Sequence, residues 1–151
     1  SWCESRDGTY LKTNLSQNKR IINDMTIVTS KNHRNKTLKK VIEKLNFKDQ
    51  IIMGSVGCKI ASILRGESNI YICLSLPGKS SPKDWDFAAP EAILKTAGGS
   101  LTNLNGDELS YGGPNFEQGG IIVATSDKFS HKSICSEIMQ VIRKFDLYPF
   151  D

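Results

Sequence analysis

A chain of 151 residues is one domain by length, with room to bury a real core. Hydrophobic residues at 38% and charged residues at 24% fit an ordinary soluble globular protein, with no internal repeat or low-complexity segment. The net charge of +4 suits an anionic substrate but not, by itself, nucleic acid; the locally basic stretch Lys31 to Lys40 reads as a solvated helix face. No apolar run approaches the roughly 20 residues that span a membrane, and the N-terminus lacks the layout of a signal peptide. Cys3, Cys58, Cys73 and Cys135 show no C-x-x-C spacing, which argues against zinc and for reduced, structural thiols. A cytoplasmic protein is the simplest expectation. The opening Ser1-Trp2-Cys3, without Met, suggests a piece of something longer.

Residues 1 to 24 are polar and turn-rich, with Asp7-Gly8 as a hairpin signal. Met25 to Thr29 reads as a short strand. Leu38, Val41, Ile42 and Leu45 form the stripe of an amphipathic helix. Ile51-Ile52-Met53 makes a second strand ahead of Gly54-Ser55. Val56, Ile60, Ile63 and Leu64 then mark a helix closed by Gly66, and Ile70 to Leu76 a third strand. Pro77 to Lys83 is a loop.

The next helix contains Pro90, which lacks an N–H and fits only near a helix start, so a start near Phe87 and a stop at Gly98-Gly99 are predicted. Leu101 to Leu109 reads as two short strands around Asn105-Gly106. Gly112-Gly113-Pro114 breaks the chain, and Ile121 to Ala124 is a buried strand. Ser126 or Ser130 is the expected cap of a last helix carrying Ile134, Ile138, Val141, Ile142 and Phe145. Strands alternate with helices four times, which predicts an α/β fold: one mixed sheet of about five strands with helices on both faces.

Four places could carry chemistry. Asp86 falls at a helix mouth, where free N–H groups and the dipole favour a carboxylate; a simple N-cap is the plainer explanation of that placement taken alone. His33 lies in Thr29-Ser30-Lys31-Asn32-His33-Arg34, just past a strand, where α/β sheets bind ligands; Ser30 or Asn32 could instead simply cap the next helix. Gly54-Ser55-Val56-Gly57-Cys58-Lys59 sits at a strand-to-helix junction that can hold a phosphate, with Ser55 and Lys59 adding a hydroxyl and a charge. It lacks P-loop spacing, and a Ser cap with a solvent-facing Lys is the plain alternative. Lys79 and Lys83, with Ser80 and Ser81 between them, suit an anion or mere solvation. The thiols have no activating partner. His131 reads as a residue of a helix start, so no Cys/His site is built.

The string Trp85-Asp86-Phe87-Ala88-Ala89, then Ile93-Leu94 and Ala97-Gly98-Gly99, resembles the C-terminal signature of the inositol-monophosphatase superfamily of magnesium-dependent phosphatases. The resemblance runs from Trp2 to about Lys144 and corresponds to the second half of a member. It implies a three-layer α/β/α sandwich whose sheet is mostly parallel, with Asp86 as a Mg²⁺ ligand. It also implies that His33, Gly54, Ser55 and Lys59 belong to the substrate pocket. A Lys at position 59 resembles the CysQ-type branch, the 3'(2'),5'-bisphosphate nucleotidases that hydrolyse 3'-phosphoadenosine 5'-phosphate. That branch carries an Arg just after the residue matching Tyr71, whereas this chain reads Ile72-Cys73-Leu74, leaving Lys79 or Lys83 to substitute without the bidentate fork.

The family's upstream Asp-Pro-Ile/Leu-Asp-Gly-Thr motif does not occur here, and Asp7-Gly8-Thr9 is only an echo of it. Residues 1–151 are therefore expected to be a C-terminal domain whose partner is the metal-binding first half of the same enzyme. Hydrolysis with Mg²⁺ needs several carboxylates, so this half alone should be inactive. An inositol or sugar phosphatase, a non-catalytic nucleotide-binding module, and a nucleic-acid-binding domain built on Lys31 to Lys40 are the alternatives. Neither a nucleic acid nor a membrane is expected as a partner.

Overall fold

The computed structural model describes residues 2–4, 7–8, 10–12, 15, 19–31 and 35–150. Two short strands, β1 (Trp2–Glu4) and β2 (Tyr10–Lys12), pair antiparallel around Asp7-Gly8, with Gly8 at a positive φ of 79°. Five further strands form a single sheet: β3 (Thr26–Ser30), β4 (Asp49–Met53), β5 (Ile70–Ser75), β6 (Ser100–Asn103) and β7 (Gly120–Thr125). Their order is β4-β3-β5-β7-β6. β3 pairs parallel with β4 and β5, while β7 runs antiparallel to both β5 and β6. Four strands thus point one way and β7 opposes them. Because β7 lies between β5 and β6, two of the four pairings are antiparallel, so the sheet is mixed as expected but not mostly parallel in its pairing.

Strand alternation sorts the core into two layers. Ile70, Ile72 and Leu74 of β5, with Ile121 and Val123 of β7, face α1 (Lys36–Leu45) and α4 (Lys128–Lys144) through Val41, Leu45, Ile134, Ile138 and Ile142. Tyr71 and Cys73, with Ile122 and Ala124, face α2 (Val56–Leu64) and α3 (Asp84–Thr96) through Ile60, Ile63, Phe87 and Leu94. The fold is a three-layer α/β/α sandwich.

Local chemistry corrects several boundaries. Asn35, rather than Ser30, caps α1: its side chain accepts from the Leu38 N–H at 3.1 Å and donates to the Leu74 carbonyl at 2.7 Å. Ser30 ends β3, and Asn32 lies outside the described residues. α3 begins at Asp84 rather than near Phe87, so Pro90 falls inside the helix. The reason is the Asp86 carboxylate, which accepts from the Lys83 N–H at 2.9 Å while the Asp86 N–H bonds the Lys83 carbonyl at 2.9 Å. That reciprocal pair fixes an earlier first turn, and Pro90 leaves the Asp86 carbonyl without its helical donor.

Only one strand, β6, forms between Leu101 and Leu109. The Gly106 and Asp107 N–H groups bond the backbone and side-chain oxygens of Asn103, closing a turn with no second strand beyond it. Asp127 caps α4 in place of either serine, because its carboxylate accepts from the Phe129 and Ser130 N–H groups at 2.8 and 3.2 Å. A carboxylate offers two separate acceptor oxygens, one for each N–H, where a hydroxyl has a single oxygen. Gly99 is required by close approach: a Cβ there would lie 2.7 Å from the Thr125 carbonyl oxygen.

Candidate functional site

The carboxyl ends of β4 and β5 and the starts of α2 and α3 meet at one end of the sheet. Ser55 caps α2, accepting from the Cys58 N–H at 3.1 Å, and the Gly54-Ser55 turn is exposed. Beneath it lies Lys59, which is 3% exposed rather than solvent-facing. Its Nζ donates to the Gly54 carbonyl at 2.8 Å and stands 5.0 Å from the centre of the Tyr71 ring. Burial lowers the Lys59 pKa, against the attraction of Cys73, Cys58 and Asp86. The same desolvation pushes Tyr71 well above its ordinary value, reinforced by Cys73 and Asp86.

Cys73 is raised by burial, opposed by hydrogen bonding to Tyr71 and by the Lys59 charge, so it stays a thiol at neutral pH. The structure therefore brings Gly54, Ser55, Lys59 and Asp86 into one electrostatic neighbourhood. Tyr71, Cys73 and Ser75, which the sequence reading did not assign to the site, share it. The signal was the alternation of β5, which puts these three on one face. His33 lies outside the described residues.

The loop leading into α3 contributes Lys79 and Lys83 differently. Lys79 is exposed and lines two grooves that share Ser75, Leu76 and Ser80. One, of about 540 Å³, is completed by Ser81, Glu117 and Tyr148. The other, of about 520 Å³, is completed by Leu74 and by Asn35, Lys36 and Thr37 at the start of α1. Lys83 is committed elsewhere: its ammonium donates to Glu117 at 2.9 Å and to the Asn115 carbonyl at 3.1 Å. This pair ties the loop around residues 112–118 to α3, helped by Asp84, which accepts from Gly112 and Gln118 at 2.6 Å.

Among the described residues, no group of three or more His, Cys, Asp and Glu side chains could hold a metal ion. Asp86 can offer one carboxylate oxygen beyond the one that accepts from Lys83, which fits a single ligand position and not a complete Mg²⁺ site. His131 lies in the first turn of α4, as expected of a helix-start residue, but the cap is Asp127 and the ring is buried. It is 5% exposed, with its ring nitrogens bonded to Thr102 and Thr125 at 2.8 Å each. Burial lowers its pKa to about 4 and raises that of neighbouring Cys135 to about 11, so the two form no thiolate–imidazolium pair.

The fold and site together define an α/β domain with an anion-suited junction and a carboxylate at one end of its sheet. The chain belongs to the inositol monophosphatase family, whose model matches residues 3–143. It is 36% identical over 85 residues to rat 3'(2'),5'-bisphosphate nucleotidase 1, a match covering 56% of this chain and 26% of that protein. It is 26% identical over 145 residues to the mouse Golgi-resident adenosine 3',5'-bisphosphate 3'-phosphatase, covering 91% of this chain and 38% of that one. The crystal structure of inositol monophosphatase II from Staphylococcus aureus shares the fold with a TM-score of 0.63 at 19% identity, over 91% of this chain and 50% of its own. The chain thus spans 26% and 38% of the lengths of these two curated relatives.

Proposed function

We propose that this chain supplies the nucleotide-binding half of a Mg²⁺-dependent phosphomonoesterase that converts 3'(2')-phosphoadenosine 5'-phosphate to AMP and phosphate. The observation that carries the reading is the pair of grooves sharing Ser75, Leu76, Lys79 and Ser80. One is polar and cationic at Lys79, with the Ser80 and Ser81 hydroxyls; the other is walled by Leu74 and Leu76. That pairing suits a nucleoside carrying more than one phosphate better than a compact polyol phosphate. Similarity to nucleotidases in the rat and mouse comparisons supports the same substrate class.

Asp86 would hold one Mg²⁺, and the bound ions would polarise the phosphoryl group and activate water. The remaining metal-binding acids belong, in this proposal, to the first half of the family architecture, outside these 151 residues. Lys79 lines both grooves and is the proposed anchor of the non-reacting phosphate. Lys59, already bonded to the Gly54 carbonyl, supports the exposed Gly54-Ser55 turn at the start of α2. The parent enzyme is placed in the cytoplasm, in keeping with free Cys58, Cys73 and Cys135. Among the described residues, no helix is long and apolar enough to cross a membrane.

Calorimetry with adenosine 3',5'-bisphosphate and with inositol 1-phosphate, each with and without Mg²⁺, tests the reading. The bisphosphate is expected to bind more tightly, and Lys79→Ala to weaken it roughly tenfold or more, as expected for a hydrogen bond to a charged group. Equal affinities would favour a sugar-phosphate phosphatase. The chain by itself is expected to turn over neither substrate. Hydrolysis by the purified chain that disappears in Asp86→Ala would overturn the assignment of the catalytic acids to the other half.

A further inference from the structure

We propose that a second cavity, at the opposite end of the sheet from Ser75, binds a small tetrahedral oxyanion of the phosphate or sulfate class. Because β5 and β7 are antiparallel, the residue before β5 and the residue after β7 meet there, and the Ser126 N–H bonds the Asn69 carbonyl at 2.9 Å. The cavity, of about 190 Å³, is lined by Arg20, Arg65, Ser68, Asn69 and Ser126, with Leu15 as an apolar wall. That volume accommodates a five-atom ion.

Two buried polar atoms point to a ligand. Ser126 is 5% exposed, and its Oγ has no hydrogen-bond partner among the described residues. The Arg20 Nε is likewise enclosed and without a partner among them. Buried polar groups are nearly always paired, so two orphans on one cavity call for a common partner. Both can donate, and a guanidinium cannot accept, so the partner must be an acceptor.

Arg65 adds a second guanidinium to the wall, ion-paired with exposed Glu67 at 2.6 Å. Glu67 offsets the Arg65 charge, and the C-terminal carbonyls of α2 oppose an anion with about half a unit, so the net attraction comes from Arg20. Serine and arginine together are a common cradle for tetrahedral oxyanions. Arg20, Arg65 and Ser126 are far apart in sequence, so no motif announces the site.

The test is amide NMR of the 151-residue chain titrated with inorganic phosphate, then sulfate, against chloride at matched ionic strength. Saturable shifts at Gly66, Asn69 and Ser126 are expected with both oxyanions, together with a rise in Tm that chloride does not give. Ser126→Ala, which removes only an orphan hydroxyl, is expected to fold normally and weaken binding several-fold. Arg20→Met should weaken it about tenfold or more, and Arg20→Lys should restore only part of it. The shifts at Gly78 to Ser81 should be untouched by either change. Shifts confined to Gly78 to Ser81, or no saturable response to either oxyanion, would overturn the proposal.

Discussion

Lys59 and His131 are both basic, both almost wholly buried, and both packed on the same sheet, yet their surroundings differ in kind. His131 has a hydroxyl on each ring nitrogen, from Thr102 and Thr125, and so sits neutral and fully paired between β6, β7 and α4. Lys59 has one carbonyl, an aromatic face and the distant pull of Asp86. A side chain satisfied on every side locks packing, whereas one that reaches a single loop carbonyl controls that loop. On this contrast His131 locks the packing of α4 on the sheet, and Lys59 braces the Gly54-Ser55 turn.

The sharpest way to break the contrast is Lys59→Ala. It opens a cavity and strips the Gly54 carbonyl of its donor, so chemical denaturation should show a loss of about 2–4 kcal/mol. Lys59→Met, which keeps the volume, should lose only about 1–2 kcal/mol and yet loosen the turn, visible as faster amide exchange at Cys58. Unchanged exchange there would mean that Lys59 does not govern the turn.

His131 predicts a pH effect instead. Its folded pKa of about 4 lies below the ordinary 6.5, so the unfolded chain takes up the proton first. Stability from this group is complete above about pH 6.5 and is lost as pH falls towards 4, by roughly 2–3 kcal/mol. Denaturation at pH 7.5 and pH 4.5 in the wild type and in His131→Gln checks it: the variant should show a smaller difference between the two pH values.

Smaller effects mark how far the two regions depend on their loops. Asp127→Ala removes the α4 cap beside His131 and should cost about 1–2 kcal/mol by thermal denaturation. Glu117→Ala releases Lys83 at the other end, and because that ion pair is partly exposed the cost should stay below about 1 kcal/mol. A larger loss would mean that the residue 112–118 loop is part of the cooperative core.

Much of the fold was legible because it rests on periodicity. Every strand of the five-stranded sheet falls within two residues of its apolar run, and the stripes of α1, α2 and α4 face the sheet as their spacing requires, except Phe145, which is exposed at the C-cap of α4 because the helix ends before it. The boundaries that moved did so through side-chain competition: Asp86 reaching back to Lys83, Asn35 bridging to Leu74, and Asp127 outbidding two serines. Which of several nearby polar residues wins a cap depends on where the chain turns in space.

The sequence by itself determined the family, through Trp85-Asp86 and Gly98-Gly99, and the grouping of Gly54, Ser55 and Lys59, which are neighbours in the chain. Only the tertiary structure decided that Lys59 lies under its turn rather than in solvent, that Lys83 is held by Glu117 from 34 positions away, and that Arg20 meets Ser126. Burial and long-range pairing are set by the stacking of helices on the sheet. No local pattern of residue types encodes which distant side chains that stacking will bring face to face.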